Sequence, residues 1–234
     1  MLTDRDLEIV RLVNRFGYLT AEQVARAFAM HPRVAYRRLR RLVEARCLVR
    51  RSLFPGQAGV YLATRRGTEL AGSLLGPARL RLQTIEHDLK VVDVALALLA
   101  RHKGTWWITE RELRREAGQR FGIGNGEKPP DGVLVLADGS RVAVEVENCR
   151  KSRRRLEERM RGYARKTEYK QVWFIICGRR QAEPVREIAR RFNYVRVLEE
   201  AEILPAAEGR KYSGRNNVPG AAPKVVAEDE LDEL

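Results

Sequence analysis

Asp131, Glu145 and Glu147 bring three carboxylates into one short stretch, PDGVLVLADGSRVAVEVE, which runs from Pro130 to Glu147. Val133 to Leu136 and Arg141 to Glu147 have strand composition, and Asp138-Gly139 between them is a tight-turn signal for antiparallel pairing. Side chains alternate along a strand, so Glu145 and Glu147 share one face while Val142, Val144 and Val146 take the other. Like charges on one face repel. A chain that keeps them beside an apolar strand balances them with a cation, either a metal ion in hard oxygen ligands or neighbouring Arg and Lys. The residues alone leave both partners open.

The elements that must position this hairpin read as follows. Ile85, Leu89, Val92, Leu96 and Leu99 give a long helical stripe with a second apolar row at Val91, Val94 and Leu98, so that helix is largely buried. A Trp-Trp-Ile strand at 106–108 follows, then a short charged helix near Glu110 to Glu116, a Gly-rich loop and the acidic hairpin. A basic helix is expected from Ser152 to about Tyr169, seaming Leu156, Met160, Tyr163 and Thr167 toward the sheet. Its other faces carry Arg153, Arg154, Arg155, Arg159, Arg161, Lys166 and Lys170, a surface that fits backbone phosphates. Glu157 with Arg161 is an i,i+4 pair that steadies a helix, so part of that charge is structural. A strand at Val172 to Cys177, a helix at Pro184 to Phe192 and a strand at Tyr194 to Leu198 complete an α-β-β-β-α-β order with additions.

The N-terminal quarter reads as helix, helix, turn, helix. Thr3 caps the first helix and Thr20 the second, and Pro32 suits the first turn of the third. In that third helix Val34, Ala35, Leu39, Leu42 and Val43 face inward, which leaves Arg33, Tyr36, Arg37 and Arg40 outward as candidate DNA readers. His31 reads as a turn residue. A strand at Leu48 to Leu53, a Pro55–Gly59 turn and a strand at Val60 to Ala63 make a wing with Arg50 and Arg51 at its base, and Thr64 caps a helix reaching about Leu75. The segment resembles a winged helix-turn-helix, including the phrase YLATRRG after the wing. Its fourteen basic and six acidic residues suit phosphate contacts.

An acid at the start of one strand and Glu-x-Glu on the next, in this element order, resembles the core of the PD-(D/E)XK nuclease superfamily over residues 84–200. That resemblance implies Asp131 and Glu145 as ligands of Mg²⁺ or Mn²⁺, with Glu147 positioning or deprotonating a water. Glu147 stands where the superfamily carries Lys, and Lys151 is the candidate for a migrated cation. Glu86 lies on the first helix of that core, where relatives place an additional acid, with His87 beside it; the plainer readings are a surface acid and a satisfied core histidine. The N-terminal winged helix, IEHDLKVVDV, TERELRRE and PDGVL…VAVEVENCRKSRRRLEERMRGYA together resemble the replication-relaxation family of plasmids, phages and integrative elements. The expected fold is mixed α/β: a winged helix domain (1–75), a linker (76–83), a restriction-endonuclease-like core (84–204) and an acidic, disordered tail (205–234).

Composition narrows the partners. With 45 Lys plus Arg against 31 Asp plus Glu, the formal charge of the 234 residues is +14, which favours polyanions, double-stranded DNA first. No apolar run is long enough for a membrane span and no signal peptide is evident, so a cytoplasmic location is expected. Cys47, Cys149 and Cys177 have no zinc or disulfide spacing and read as reduced thiols. Gly122, Gly124 and Gly126 precede prolines and a strand instead of opening a helix, so no nucleotide cofactor is expected. Two principal functions stand open: a Mg-dependent endonuclease guided by the winged helix, or a non-catalytic DNA-binding regulator of replication or transcription whose acids are held by Arg150 or Lys151. A homodimer, or replication or transfer proteins, are further partners the sequence permits, and an adaptor role is a third reading.

Overall fold

Thr3 opens the chain's first helix by a reciprocal cap: its hydroxyl accepts from Asp6 N–H and the Asp6 carboxylate accepts from Thr3 N–H. The computed structural model describes residues 2–52, 59–121, 128–148, 152–178 and 182–204. Helix α1 (Asp4–Phe16) ends at Gly17, whose φ of 93° suits only glycine at low cost. A second capping box, Thr20 with Gln23, starts α2 (Ala21–Ala27), and His31 caps α3 (Pro32–Glu44), with Pro32 in its first turn. Strand β1 (Leu19–Thr20) pairs with β3 (Val60–Ala63), which pairs with β2 (Leu48–Arg51), giving a small antiparallel sheet in the order β1-β3-β2. The turn between β2 and β3 and Leu53 lie outside the described residues. Helix α4 (Arg65–Leu70) stops short of the expected Leu75, because the chain turns at Gly72, with φ 60°.

Helix α5 (Ile85–Arg101) carries two apolar rows because it serves two cores. Val92 and Leu96 join the cluster built from α1, α2 and α3, while Val91, Val94, Ala95 and Leu98 pack on the second sheet. That sheet has the order β4-β5-β6-β7-β8, from β4 (Trp106–Thr109), β5 (Gly132–Val135), β6 (Arg141–Glu147), β7 (Gln171–Ile176) and β8 (Val195–Glu199). The first three strands are antiparallel, and β6, β7 and β8 are parallel. Gly139, with φ 80°, makes the turn between β5 and β6. Val142, Val144 and Val146 face the α5 layer and Ala143 the opposite one, in keeping with the alternation read from the sequence.

The opposite layer is α7 (Arg153–Gly162) and α8 (Ala182–Ala189), packed on Val172, Phe174 and Ile176. The fold is therefore mixed α/β, with helices on both faces of the larger sheet. Several bounds differ from expectation. Helix α6 (Glu110–Phe121) runs past Glu116, α8 starts at Ala182, and a short helix α9 (Glu200–Ile203) follows β8. Helix α7 ends at Gly162 and tightens into a 3₁₀ turn at Tyr163–Arg165 instead of continuing to Tyr169. The Gly-rich loop residues Gly122, Gly124 and Gly126, the residues Cys149, Arg150 and Lys151, and the tail from 205 lie outside the described residues.

Candidate functional site

The β5–β6 register pairs Gly132 with Val144, so Asp131 and Glu145 are the next residues outward on the two strands. Both are buried, at 6% and 1% exposure, and Glu147 is buried at 3%. Carboxylates so withdrawn from water need partners, and the two strands draw them from different layers.

Asp131 is held from the α5 side. Its Oδ2 accepts from Val146 N–H at 2.9 Å and lies 3.2 Å from His87 Nε2, and Lys128 Nζ lies 3.4 Å from Oδ1. His87 Nε2 is also 3.1 Å from the Val146 carbonyl, and Nδ1 is 3.3 Å from Asp88 Oδ1. Every neighbour of both ring nitrogens is an acceptor, so only the doubly protonated imidazolium satisfies them all. The Asp131 hydrogen bond, followed by that of Asp88, raises the His87 pKa to about 10. Burial pushes Asp131 upward, but His87's hydrogen bond and charge outweigh it and hold the carboxyl down at about 2. Asp88 is itself gripped by Thr84 Oγ1 at 2.9 Å and by the Tyr18 hydroxyl, so the chain of contacts runs from the N-terminal sheet region to Asp131.

Glu145 is held from the α7 side. Its Oε1 accepts from Arg159 Nε at 3.0 Å, from Arg159 Nη2 at 2.5 Å and from the Tyr163 hydroxyl. Burial first, then the charge of Asp131, push Glu145 upward against the pull of Arg159. Burial and the charge of Glu145 raise Tyr163 as well, so it stays a hydroxyl donor. Arg159 also donates to the carbonyls of Lys128 and Pro129, each at 3.0 Å, which ties the segment before β5 to the strand behind it.

Arg159 was expected to project away from the sheet; it turns inward instead. Leu156, Arg159, Met160 and Tyr163 lie three or four residues apart and share one helix face. That spacing was visible in the sequence, but a cation on an apolar stripe reads as an outward residue until the acid opposite it is known. Lys128, three residues before Asp131, was also missed.

The remaining candidates are placed as follows. Arg33, Tyr36, Arg37 and Arg40 are exposed on α3, whose opposite face buries Ala35, Leu39 and Leu42; Arg40 Nε bonds Glu44 at 2.9 Å. Arg50 and Arg51 are exposed on β2. Arg153 and Arg154, exposed on α7, pair with Glu187 at 3.2 Å and Glu158 at 2.8 Å. Glu86 is exposed on α5, and Lys151 lies outside the described residues. Among the described residues no three His, Cys, Asp or Glu side chains come together to hold a metal ion. Arg159 and Tyr163 take Glu145 Oε1, and Val146 N–H, His87 and Lys128 surround Asp131, so the positions where the sequence placed Mg²⁺ or Mn²⁺ are lined by the protein's own donors.

The profile of the replication-relaxation family matches residues 10–174, from α1 through most of β7. The chain belongs to the replication-relaxation family. Membership suggests a role in mobile-element replication or relaxation. No curated protein and no solved structure matches this replication-relaxation protein. Among its described residues no helix is long and apolar enough to cross a membrane.

Proposed function

We propose that this replication-relaxation protein is a non-catalytic DNA-binding regulator of a plasmid, phage or integrative element. Its first three helices and β2–β3 hairpin act as a winged helix on double-stranded DNA, and its larger sheet is a nuclease-like fold whose acids are neutralised by the protein's own cations. The observation that carries this reading is Arg159, whose guanidinium holds the Glu145 carboxylate by two nitrogens. A paired, buried carboxylate of this kind is costly to strip, because removing one partner strands the other charge. DNA binding is supported by the formal charge of +14 and by the exposure of Arg33, Tyr36, Arg37 and Arg40 on α3, the helix that would enter the major groove.

Metal-dependent cleavage is the second reading, favoured by the adjacency of Asp131 and Glu145 at the ends of paired strands. Purified protein incubated with supercoiled, linear and single-stranded DNA, with Mg²⁺, Mn²⁺ or EDTA, separates the two. The regulator reading expects salt-sensitive duplex binding that EDTA leaves unchanged, no nicking, and weakened binding in Arg37→Ala. Metal-dependent nicking that disappears in both Asp131→Ala and Glu145→Ala would overturn it in favour of the enzyme.

A further inference from the structure

A recess of about 290 Å³ opens beside the Glu145–Arg159 pair, lined by Lys128, Glu158, Arg159, Gly162, Tyr163 and Lys166. That is far more room than the roughly 30 Å³ of one liquid water. Three of the lining residues are cations. They stand against a single lining acid, Glu158, which Arg154 meets at 2.8 Å, while the acids that Arg159 and Lys128 face, Glu145 and Asp131, lie outside the lining. Glu145 does not line the recess. Arg159 both lines it and binds Glu145, so an anion entering there meets a guanidinium instead of the carboxylate behind it.

The wall is also stiff. Tyr163 is fixed through its hydroxyl to Glu145, and its ring carries Arg159 at 5.3 Å and Lys166 at 5.1 Å from its centroid. Arg159 is further pinned by two backbone carbonyls. Lys128 is exposed and reaches Asp131 by one long contact of 3.4 Å, which leaves ammonium protons for a ligand. Preorganised cations around one pocket favour a compact oxyanion over an extended one.

We propose that this recess is a phosphate subsite, in which Lys128, Arg159 and Lys166 seat one phosphate group of a bound nucleic-acid strand against the Tyr163 edge. The proposal deepens the DNA-binding reading, since it places a phosphate contact on the larger sheet, away from α3. The phosphate is either an internal phosphodiester or a strand's terminal phosphate.

The test compares intact protein with the Lys128→Ala/Lys166→Ala variant, using Lys103→Ala, an exposed lysine outside the recess, as control. Binding to two unrelated duplexes is measured across a salt series. The recess variant should lose affinity equally on both sequences, and its slope of log affinity against log salt should fall by about 1, whereas Lys103→Ala keeps the slope. Closed circular DNA and duplexes with 5′-phosphate or 5′-hydroxyl ends distinguish the source. Loss on the circle identifies an internal phosphodiester, and loss confined to 5′-phosphorylated ends identifies a terminal one. An unchanged slope on every substrate overturns the subsite while leaving α3 as the DNA-binding surface. Should intact protein bind no DNA, the proposed function fails and inorganic phosphate probes the recess alone. A rise in melting temperature beyond that in chloride at equal ionic strength, absent from the variant, upholds it; equal melting in both overturns it.

Discussion

Two buried carboxylates sit one strand apart, and each is answered by a cation from a different helix layer. His87 answers Asp131 and Arg159 answers Glu145. This arrangement has a pH signature. The folded state holds the His87 pKa near 10, against 6.5 for an ordinary histidine, so the contribution of its imidazolium is complete below 6.5 and is lost as pH climbs through 10. Asp131 acts in the other direction: its contribution is present above about 3.8 and is lost as pH falls through about 2. Stability should therefore decline between pH 6.5 and 10, by on the order of 1 kcal/mol per unit at most. Urea titrations across that window should show the decline in the native protein and a flatter curve in His87→Gln. Parallel curves would mean that the ring is neutral in the folded protein. The carboxylate pattern itself was legible, because strand alternation puts Glu145 and Glu147 on one face whatever surrounds them. Their partners were not, since Arg159 lies fourteen residues on from Glu145 and His87 lies forty-four before Asp131.

At the scale of elements, β4 and β5 are held in register by a close approach. Gly132 lies under the Trp107 ring, and a Cβ built there would fall 1.9 Å from Trp107 Cζ2. Trp107 is 1% exposed and cannot swing into water, so Gly132→Ala must displace either the ring or the strand. A loss of about 3 kcal/mol is expected, read as a lower urea midpoint with a shift in tryptophan emission. An unaltered midpoint would show that the ring has room to move. Because Gly132 sits between Asp131 and the rest of β5, the same substitution should also disturb the acidic pair. Nothing in the sequence around Gly132 signals this contact; the tryptophan that requires it is on a neighbouring strand.

Across the whole molecule, α5 is shared between two cores. Val92 and Leu96 belong to the N-terminal cluster, while Leu98 and Val94 belong to the sheet. Polar ties reinforce the junction: Arg15 meets Glu112 at 2.6 Å, Gln23 donates to the Leu89 carbonyl at 2.9 Å, and Arg26 pairs with Asp93. Leu96→Ala should cost about 2 or 3 kcal/mol. Hydrogen exchange should report the loss in α2 and α3 and in β6 and β7 together, because the helix that links them is loosened on both sides. Lost protection in the N-terminal helices alone would show that the two cores open independently.

Local chemistry in the chain was enough for the helix caps at Thr3, Thr20 and Thr64, the tight turn at Gly139, the mixed α/β order and the shared face of Glu145 and Glu147, because each depends on residues close in sequence. The two apolar rows of α5 were visible too, but not that they face different cores. Which cation neutralises which acid was decided only when α5 and α7 closed over opposite faces of the sheet. A buried charge is stabilised by whatever lies within a few ångströms of it in space, and the one-dimensional pattern does not encode that distance.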